Sequence, residues 1–290
     1  MHRILVKILN KIYYRFFSIY SKILNVSLKY FKDESLERER ADIIVSCTTI
    51  PSRLDKINLM LRSLLNQTIT PKLIVIYASV EDFPEKDIEK NIINSDLIKV
   101  IYKEENLKSH KKYIYSFLEF NNSPVITVDD DIIYPSKMIE KLLASYNKYP
   151  NAISCMRCHR IKFSGNEILP YHMWDYEYAF DMKPSHLNFL TSGGGTLFPP
   201  NCLIDVAFDK DLIKELSFTA DDVWLNFMAY LSKVKVVKAT FWKGTPVVIN
   251  DTQEVSLLSE NVNNGKNDIY IQNLISYFHS DWLKRGENND

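Results

Sequence analysis

Three consecutive carboxylates, Asp129, Asp130 and Asp131, follow directly on the apolar run Val125-Ile-Thr-Val128 and precede Ile132-Ile-Tyr-Pro135. A short β-branched run of this kind fills a buried strand, which puts the acids at a strand end. Two like charges about 4 Å apart repel by roughly 4 kcal/mol at an effective dielectric near 20. A cation, or protonation of one group, must relieve that repulsion. Mg2+ or Mn2+, held by one or two carboxylates and completed by phosphate oxygens, meets the need. A solvated acidic turn is the alternative. The strand before the triplet and Pro135 after it fix the acids at an element boundary and favour the metal.

A second acidic pair, Asp221-Asp222, follows Thr219-Ala220 and opens the apolar segment Val223-Trp-Leu-Asn226. Ser/Thr-x-x-acid before an apolar run is a helix-capping signature, and negative charge at a helix N-terminus is favourable in itself. Capping needs only one acid, however, and a carboxylate aimed at a pocket can serve as general base on a hydroxyl. Gly193, Gly194 and Gly195 make up three of the chain's seven glycines. Such clustering indicates close backbone approach to a ligand or unusual φ/ψ angles, with a flexible turn before Pro199-Pro200 as the plain alternative. Neither phosphate-loop glycine pattern is present. Lys111 and Lys112 are both candidates to pair with a diphosphate or with the acidic cluster.

Other residues carry weaker signals. Cys155-Met-Arg-Cys158-His159 has the letters of a c-type haem attachment site, but it falls on an expected core strand with no export signal. Zinc there needs a further ligand that the sequence does not offer. Buried small hydrophobes are the better reading. His279 is a metal candidate against the stronger reading of a surface or packing histidine. Tyr171, His172, Trp174 and Tyr176 form the densest aromatic group with polar tips, suited to stacking on sugars or to filling a core.

The elements that must position these residues alternate. Residues 43–47, 73–77, 98–102 and 125–128 read as strands, and residues 53–65, 85–94, 111–120 and 136–149 as helices. That order implies an α/β fold, a parallel sheet with helices on both faces. Ligands of such sheets bind outside the carboxyl ends of the strands. Thr48-Thr-Ile-Pro-Ser-Arg53 and the aspartate triplet both lie there, after the first and fourth strands, which predicts a shared pocket. In the less regular second half, 152–156 and 234–237 read as strands, 221–231 and 269–278 as helices, and 171–179 as a loop or short helix.

At 290 residues the chain is long enough for one sizeable core. A formal net charge of +0 argues against wholesale binding to nucleic acid. Cys47, Cys155, Cys158 and Cys202 are too scattered for a disulfide scaffold, which suits a reducing, cytoplasmic setting. The first 32 residues hold seven Lys or Arg and no acid, with apolar residues at a period near 3.6. A basic residue interrupts about every turn, so no stretch there is apolar enough to span a bilayer. The pattern suits an amphipathic helix lying on an anionic membrane surface, or packed on protein. Residues 1–40 thus read as a basic helix and charged linker, and 41–290 as the domain.

Together these residues resemble the GT-A class of nucleotide-sugar-dependent glycosyltransferases, above all family-2-like bacterial enzymes and the exostosin C-terminal domain. The resemblance runs over nearly the whole chain outside the basic segment. It implies a GT-A, Rossmann-like sheet and the transfer of a sugar from a nucleoside diphosphate sugar, a UDP-sugar, to a hydroxyl. Asp129 and Asp131 look like the ends of the Asp-x-Asp motif that binds Mn2+ or Mg2+ on the donor diphosphate, with Asp130 between them. Thr48, Thr49, Pro51 and Arg53 correspond to the loop that contacts the nucleotide. Gly193, Gly194 and Gly195 resemble the segment near donor and acceptor. Asp222 matches the base of inverting members, and its neighbour Asp221 replaces the usual Glu. Lys112 is the favoured match for the family's lysine, and Trp174 and His172 fall on the acceptor side. The exostosin-like resemblance points to retention of configuration and the family-2-like one to inversion.

Family habit and the basic segment imply a glycan or lipid-linked acceptor, surface-glycan synthesis and a place on the inner face of the cell membrane. A nucleotidyltransferase also uses a parallel sheet and metal-binding acids, but normally has a Gly-rich loop after its first strand, and residues 48–53 contain no glycine. An inactive membrane-peripheral scaffold has no need of two acidic clusters.

Overall fold

Ile43, Ile44, Val45 and Cys47 are buried because β1 (Glu39–Thr48) has a hydrogen-bonded strand on each edge and a helical layer on each face. The computed structural model describes residues 22–23, 38–179, 181–241, 245–249, 252 and 265–281. The basic helix expected in the first 32 residues lies outside these, apart from Lys22 and Ile23, as does most of the charged linker.

After β1 come α1 (Ile57–Leu65), β2 (Ile69–Ser79), β3 (Ile98–Lys103), α2 (Lys111–Glu119), β4 (Val125–Val128), β5 (Ile132–Ile133) and α3 (Met138–Lys148). The short strands β6 (Ile153–Cys155), β7 (Cys158–Arg160), β8 (Phe163–Ser164), β9 (Glu167–Ile168) and β10 (Asn188–Leu190) follow, then β11 (Gly194–Phe198). The chain ends with α4 (Lys210–Leu216), α5 (Asp221–Leu231), β12 (Val236–Lys238), β13 (Val247–Val248) and α6 (Lys266–Tyr277). Among the described residues, seven strands form one sheet in the order β12-β6-β11-β4-β1-β2-β3. Strand β11 runs antiparallel to both neighbours, and the other pairings are parallel.

Alternation along the strands builds two cores. Ile44, Val75, Tyr77 and Val125 face α2, α5 and α6 through Tyr113, Ile114, Trp224, Phe227 and Leu274. Ile43, Val45, Cys47, Ile74, Ile76, Ile126 and Val128 face α1 and α3 through Met60, Leu61, Leu64, Met138 and Leu142. Strands buried on both sides explain the near-continuous apolar runs in the sequence.

One expected helix is absent. Residues 85–94 hold only a single 3-10 turn at Ile88–Lys90. Backbone groups that an α-helix would use are taken by distant side chains: Ile88 N donates to Tyr102 Oη (2.9 Å) and Ile93 N to Asn58 Oδ1 (2.8 Å). Side-chain competition of this kind overrides a weak helical pattern.

Candidate active site

The parallel register of β1 and β4, with Ser46 opposite Thr127, brings Thr48-Thr49 and the aspartate triplet to the same carboxyl-terminal edge. The predicted meeting of the two segments occurs through side chains. Thr49 Oγ1 donates to Asp130 Oδ2 (2.7 Å), and Arg53 spans two acids, Nη1 to Asp130 Oδ1 (2.6 Å) and Nη2 to Asp131 Oδ2 (3.1 Å). Pro51 starts the 3-10 turn Pro51–Arg53 that aims this guanidinium. The Thr48 Oγ1 is buried with no hydrogen-bond partner at this edge, an unused polar atom of the sort a ligand satisfies.

Lys112 Nζ donates to Asp129 Oδ1 (2.7 Å) and lies 3.0 Å from Asp221 Oδ2. The lysine side chain is 2% exposed, and the Asp129 side chain 39%. Burial works against the Lys112 charge, yet Asp129 and Asp221 hold it protonated well above the ordinary lysine range. Lys111, one residue earlier, turns away. Its Nζ donates to Asn106 Oδ1 (2.8 Å) and lies 3.9 Å from Asp82, whose carboxylate also accepts from Ser79 Oγ (2.6 Å). Burial lowers Lys111 to about 8 despite Asp82. This second polar cluster, at the ends of β2 and β3, is one that the sequence did not mark. Its only signal there was a pair of adjacent lysines, which a helix points about 100° apart.

Ser192 joins the second acid pair to the glycines. Its Oγ donates to Asp221 Oδ2 (2.6 Å), its N to Asp222 Oδ1 (2.7 Å), and its carbonyl accepts from Thr127 Oγ1 (2.8 Å). Asn226 locks the segment from below, accepting from Leu190 N (2.9 Å) and donating to Leu190 O (2.9 Å). Tyr134 Oη accepts from Asp129 N (2.7 Å) and donates to Gly193 O (2.5 Å), tying triplet to glycines. A Cβ on Gly193 would lie 1.7 Å from Asp129 Oδ2, so this glycine admits the carboxylate. Gly195 has φ +92 at the irregularity between Gly194 and Thr196 in the pairing with β4, a conformation that favours glycine. Gly194 packs on Thr191 and Arg157.

The expected cap at Thr219 does not form. The N-cap of α5 is Ala220 without a side-chain bond, and Thr219 Oγ1 pairs with Tyr270 Oη (3.0 Å). Both acids are thereby free of capping duty. Burial pushes Asp222 up to about 7, with Asp221 adding to the shift. Asp221 is held below the ordinary carboxylate range: burial opposes its charge, but Lys112 prevails.

The triplet fits a hard divalent cation in the chemistry of its donors. Burial and then the neighbouring Asp129 charge raise Asp131 to about 7, the repulsion that such an ion relieves. Burial also raises Asp130, against the pull of Arg53. Among the described residues no group of three or more His, Cys, Asp or Glu side chains is arranged to hold a metal, and Asp129 and Asp131 are paired with Lys112 and Arg53. His279 is exposed at φ 46 beyond α6. Trp174 is 4% exposed, its Nε1 donates to Leu169 O (2.8 Å), and it packs within the aromatic core, tilted against Tyr171 and edge-to-face with Phe189. Its ring is therefore spent on packing, unlike exposed His172. Cys155, Cys158 and His159 are all buried.

The family described as glycosyl transferase family 2 matches residues 43–213. No curated protein matches the chain. Among solved structures it is similar to TarS 1-349 of S. aureus in complex with UDP, at 15% identity over 68% of this chain and 58% of that one, with a TM-score of 0.41. A second structure of S. aureus TarS 1-349 gives 17%, 70%, 60% and 0.40 in the same terms. A UTP-bound UGPase from Acinetobacter baumannii gives 10%, 85%, 95% and 0.38. The chain thus spans 58–60% of the length of the TarS chains.

Proposed function

The chain belongs to glycosyl transferase family 2, and from that premise we propose that it transfers a sugar from a UDP-sugar to a hydroxyl acceptor in surface-glycan synthesis. The observation that carries this reading is the convergence of both acidic clusters on one sheet edge, joined by Lys112 and by the Ser192-Gly193 segment. A scaffold needs neither the junction nor a carboxylate with its proton affinity raised toward neutrality.

In this reading Asp129 and Asp131 would hold Mn2+ or Mg2+, which when bound supplies positive charge to the departing diphosphate. Arg53 and Lys112 bring fixed positive charge to the same edge. Thr48 and Thr49 would lie on the nucleotide side, and Gly193 to Gly195 would let the chain pass close beneath the donor. Asp222 accepts the proton of the acceptor hydroxyl as its oxygen bonds to the anomeric carbon. The electron pair of the breaking C–O bond leaves with the nucleoside diphosphate. A base on the acceptor side with no covalent step gives inversion of configuration.

Among the described residues no helix is long and apolar enough to cross a membrane. The seven cations of the first 32 residues support peripheral attachment to an anionic cytoplasmic surface, where glycan or lipid-linked acceptors would be met.

The test is a panel of nucleotide sugars with Mn2+, read first by thermal shift and then by UDP release. One UDP-sugar should raise the melting temperature only with metal present, and Asp222→Asn should keep that shift while losing transfer. If no donor shifts the melting temperature with Mn2+, the reading is wrong.

A further inference from the structure

Two carboxylates from different parts of the chain share one buried ammonium. Lys112 Nζ is 2.7 Å from Asp129 Oδ1 and 3.0 Å from Asp221 Oδ2. Its backbone is fixed at the start of α2, where Ser46 Oγ (2.5 Å) and Ser116 Oγ (2.6 Å) both donate to its carbonyl. Any adjustment of Lys112 between the two acids is therefore left to its side chain.

Asp221 and Asp222 stand differently. Asp221 is buried, and its Oδ2 takes both Lys112 and the Ser192 hydroxyl. Asp222 is half-buried and takes the Ser192 amide through Oδ1. Only Asp221 contacts the lysine; Asp222 acts on it at longer range through its charge.

We propose that Asp221 is a positioning residue that acts through Lys112, drawing the ammonium partly away from Asp129 so that Asp129 can accept a divalent cation with its diphosphate. The inference rests on the donor-binding reading above and assigns Asp221 a part in it that involves no proton transfer. One positive charge between two negative ones leaves a net negative site, which attracts a cation. With Asp221 neutral, the whole ammonium falls to Asp129, and an incoming divalent ion must compete with it. Such coupling is reciprocal. A cation on Asp129 repels Lys112 toward Asp221, which tightens the contact that also holds Ser192 and, through the Ser192 amide, Asp222. Donor binding thus sets the acceptor-side base.

Titration calorimetry of UDP into the full chain, with and without MnCl2, tests the assignment. Asp221→Asn should weaken Mn2+-dependent UDP binding by roughly five- to tenfold. Asp222→Asn, which loses transfer, should stay within about twofold of the parent because its side chain does not hold Lys112. In a Lys112→Met background, Asp221→Asn should add nothing. The proposal is overturned if Asp221→Asn binds like the parent, if both Asn variants weaken binding alike, or if the Asp221 and Lys112 effects add. Should Lys112→Met fail to fold, the comparison of the two Asn variants decides. A parent protein that binds no UDP with Mn2+ refutes the donor reading itself; a parent that binds, with an indifferent Asp221→Asn, refutes the coupling alone.

Discussion

Gly193 lies directly beneath the Asp129 carboxylate, so close that a Cβ there would meet Oδ2 at 1.7 Å. The clash falls on the Asp129 side chain, while the backbone carbonyls of Gly193 and Ser192 are held by Tyr134 and Thr127. Gly193→Ala should therefore displace the Asp129 side chain and leave the sheet in place. We expect Mn2+-dependent UDP binding to fall at least tenfold, on the order of 1.4 kcal/mol or more, with a cooperative thermal transition retained. Calorimetry alongside circular dichroism checks both halves; unchanged binding would show that the carboxylate has room to work elsewhere.

Lys112→Met should destabilise the fold as well as the site. Removing the cation leaves Asp129 and Asp221 near each other with their shared partner gone, and the Asp221 side chain is only 11% exposed. Breaking a buried pair by deleting one partner costs about 3 kcal/mol. Urea denaturation at pH 8 should show that loss, shrinking as the pH is lowered and Asp221, which Lys112 holds below the ordinary carboxylate range in the parent, protonates. A midpoint equal to the parent's would mean that water reaches the pair.

Asp222 predicts opposite pH trends for activity and stability. Its carboxyl is raised to about 7 by burial and by Asp221, against an ordinary value near 4 in the unfolded chain. Between those values the folded state binds the proton and the unfolded state has lost it, so stability falls as pH rises through this window. Transfer needs the ionised form, so kcat/KM should climb through the same window and level off above about 7. Asp222→Asn should be more stable than the parent at pH 8, by a margin that vanishes near pH 4. A variant less stable at pH 8 would contradict the raised proton affinity.

Much of this site was legible in the chain because its chemistry is local in sequence. The run from Val125 to Asp131 announces a buried strand that ends in acid, and the register with β1 makes Thr49 and Arg53 its neighbours. What the pattern could not show is who neutralises whom. The triplet's repulsion called for a cation, and the protein places Arg53 on Asp130 and Asp131 and Lys112 on Asp129. The bonds of Ser192 to Asp221 and Asp222, of Tyr134 to Gly193 and of Asn226 to Leu190 carry no local signature, since each spans dozens of residues along the chain. Trp174 reads identically as a sugar platform or a core residue until its neighbours Tyr171 and Phe189 are known. The failed helix at 85–94 has the same origin, a backbone claimed by Tyr102 and Asn58 from elsewhere.

The basic segment can be tested without truncation. Lys7, Lys11 and Arg15 recur at four-residue spacing, which on a helix places them along one side. Each such cation near an anionic surface contributes about 1 kcal/mol. Replacing all three by Gln leaves the apolar positions intact and removes roughly 3 kcal/mol of attraction, about a hundredfold in partitioning. Sedimentation with vesicles containing one-third anionic lipid should show that loss at low salt, and the parent should shed much of its own binding as salt is raised. UDP binding should be the same in both proteins, because all three residues precede the family match at 43–213. Equal sedimentation of parent and variant would mean that the segment docks on protein rather than lipid.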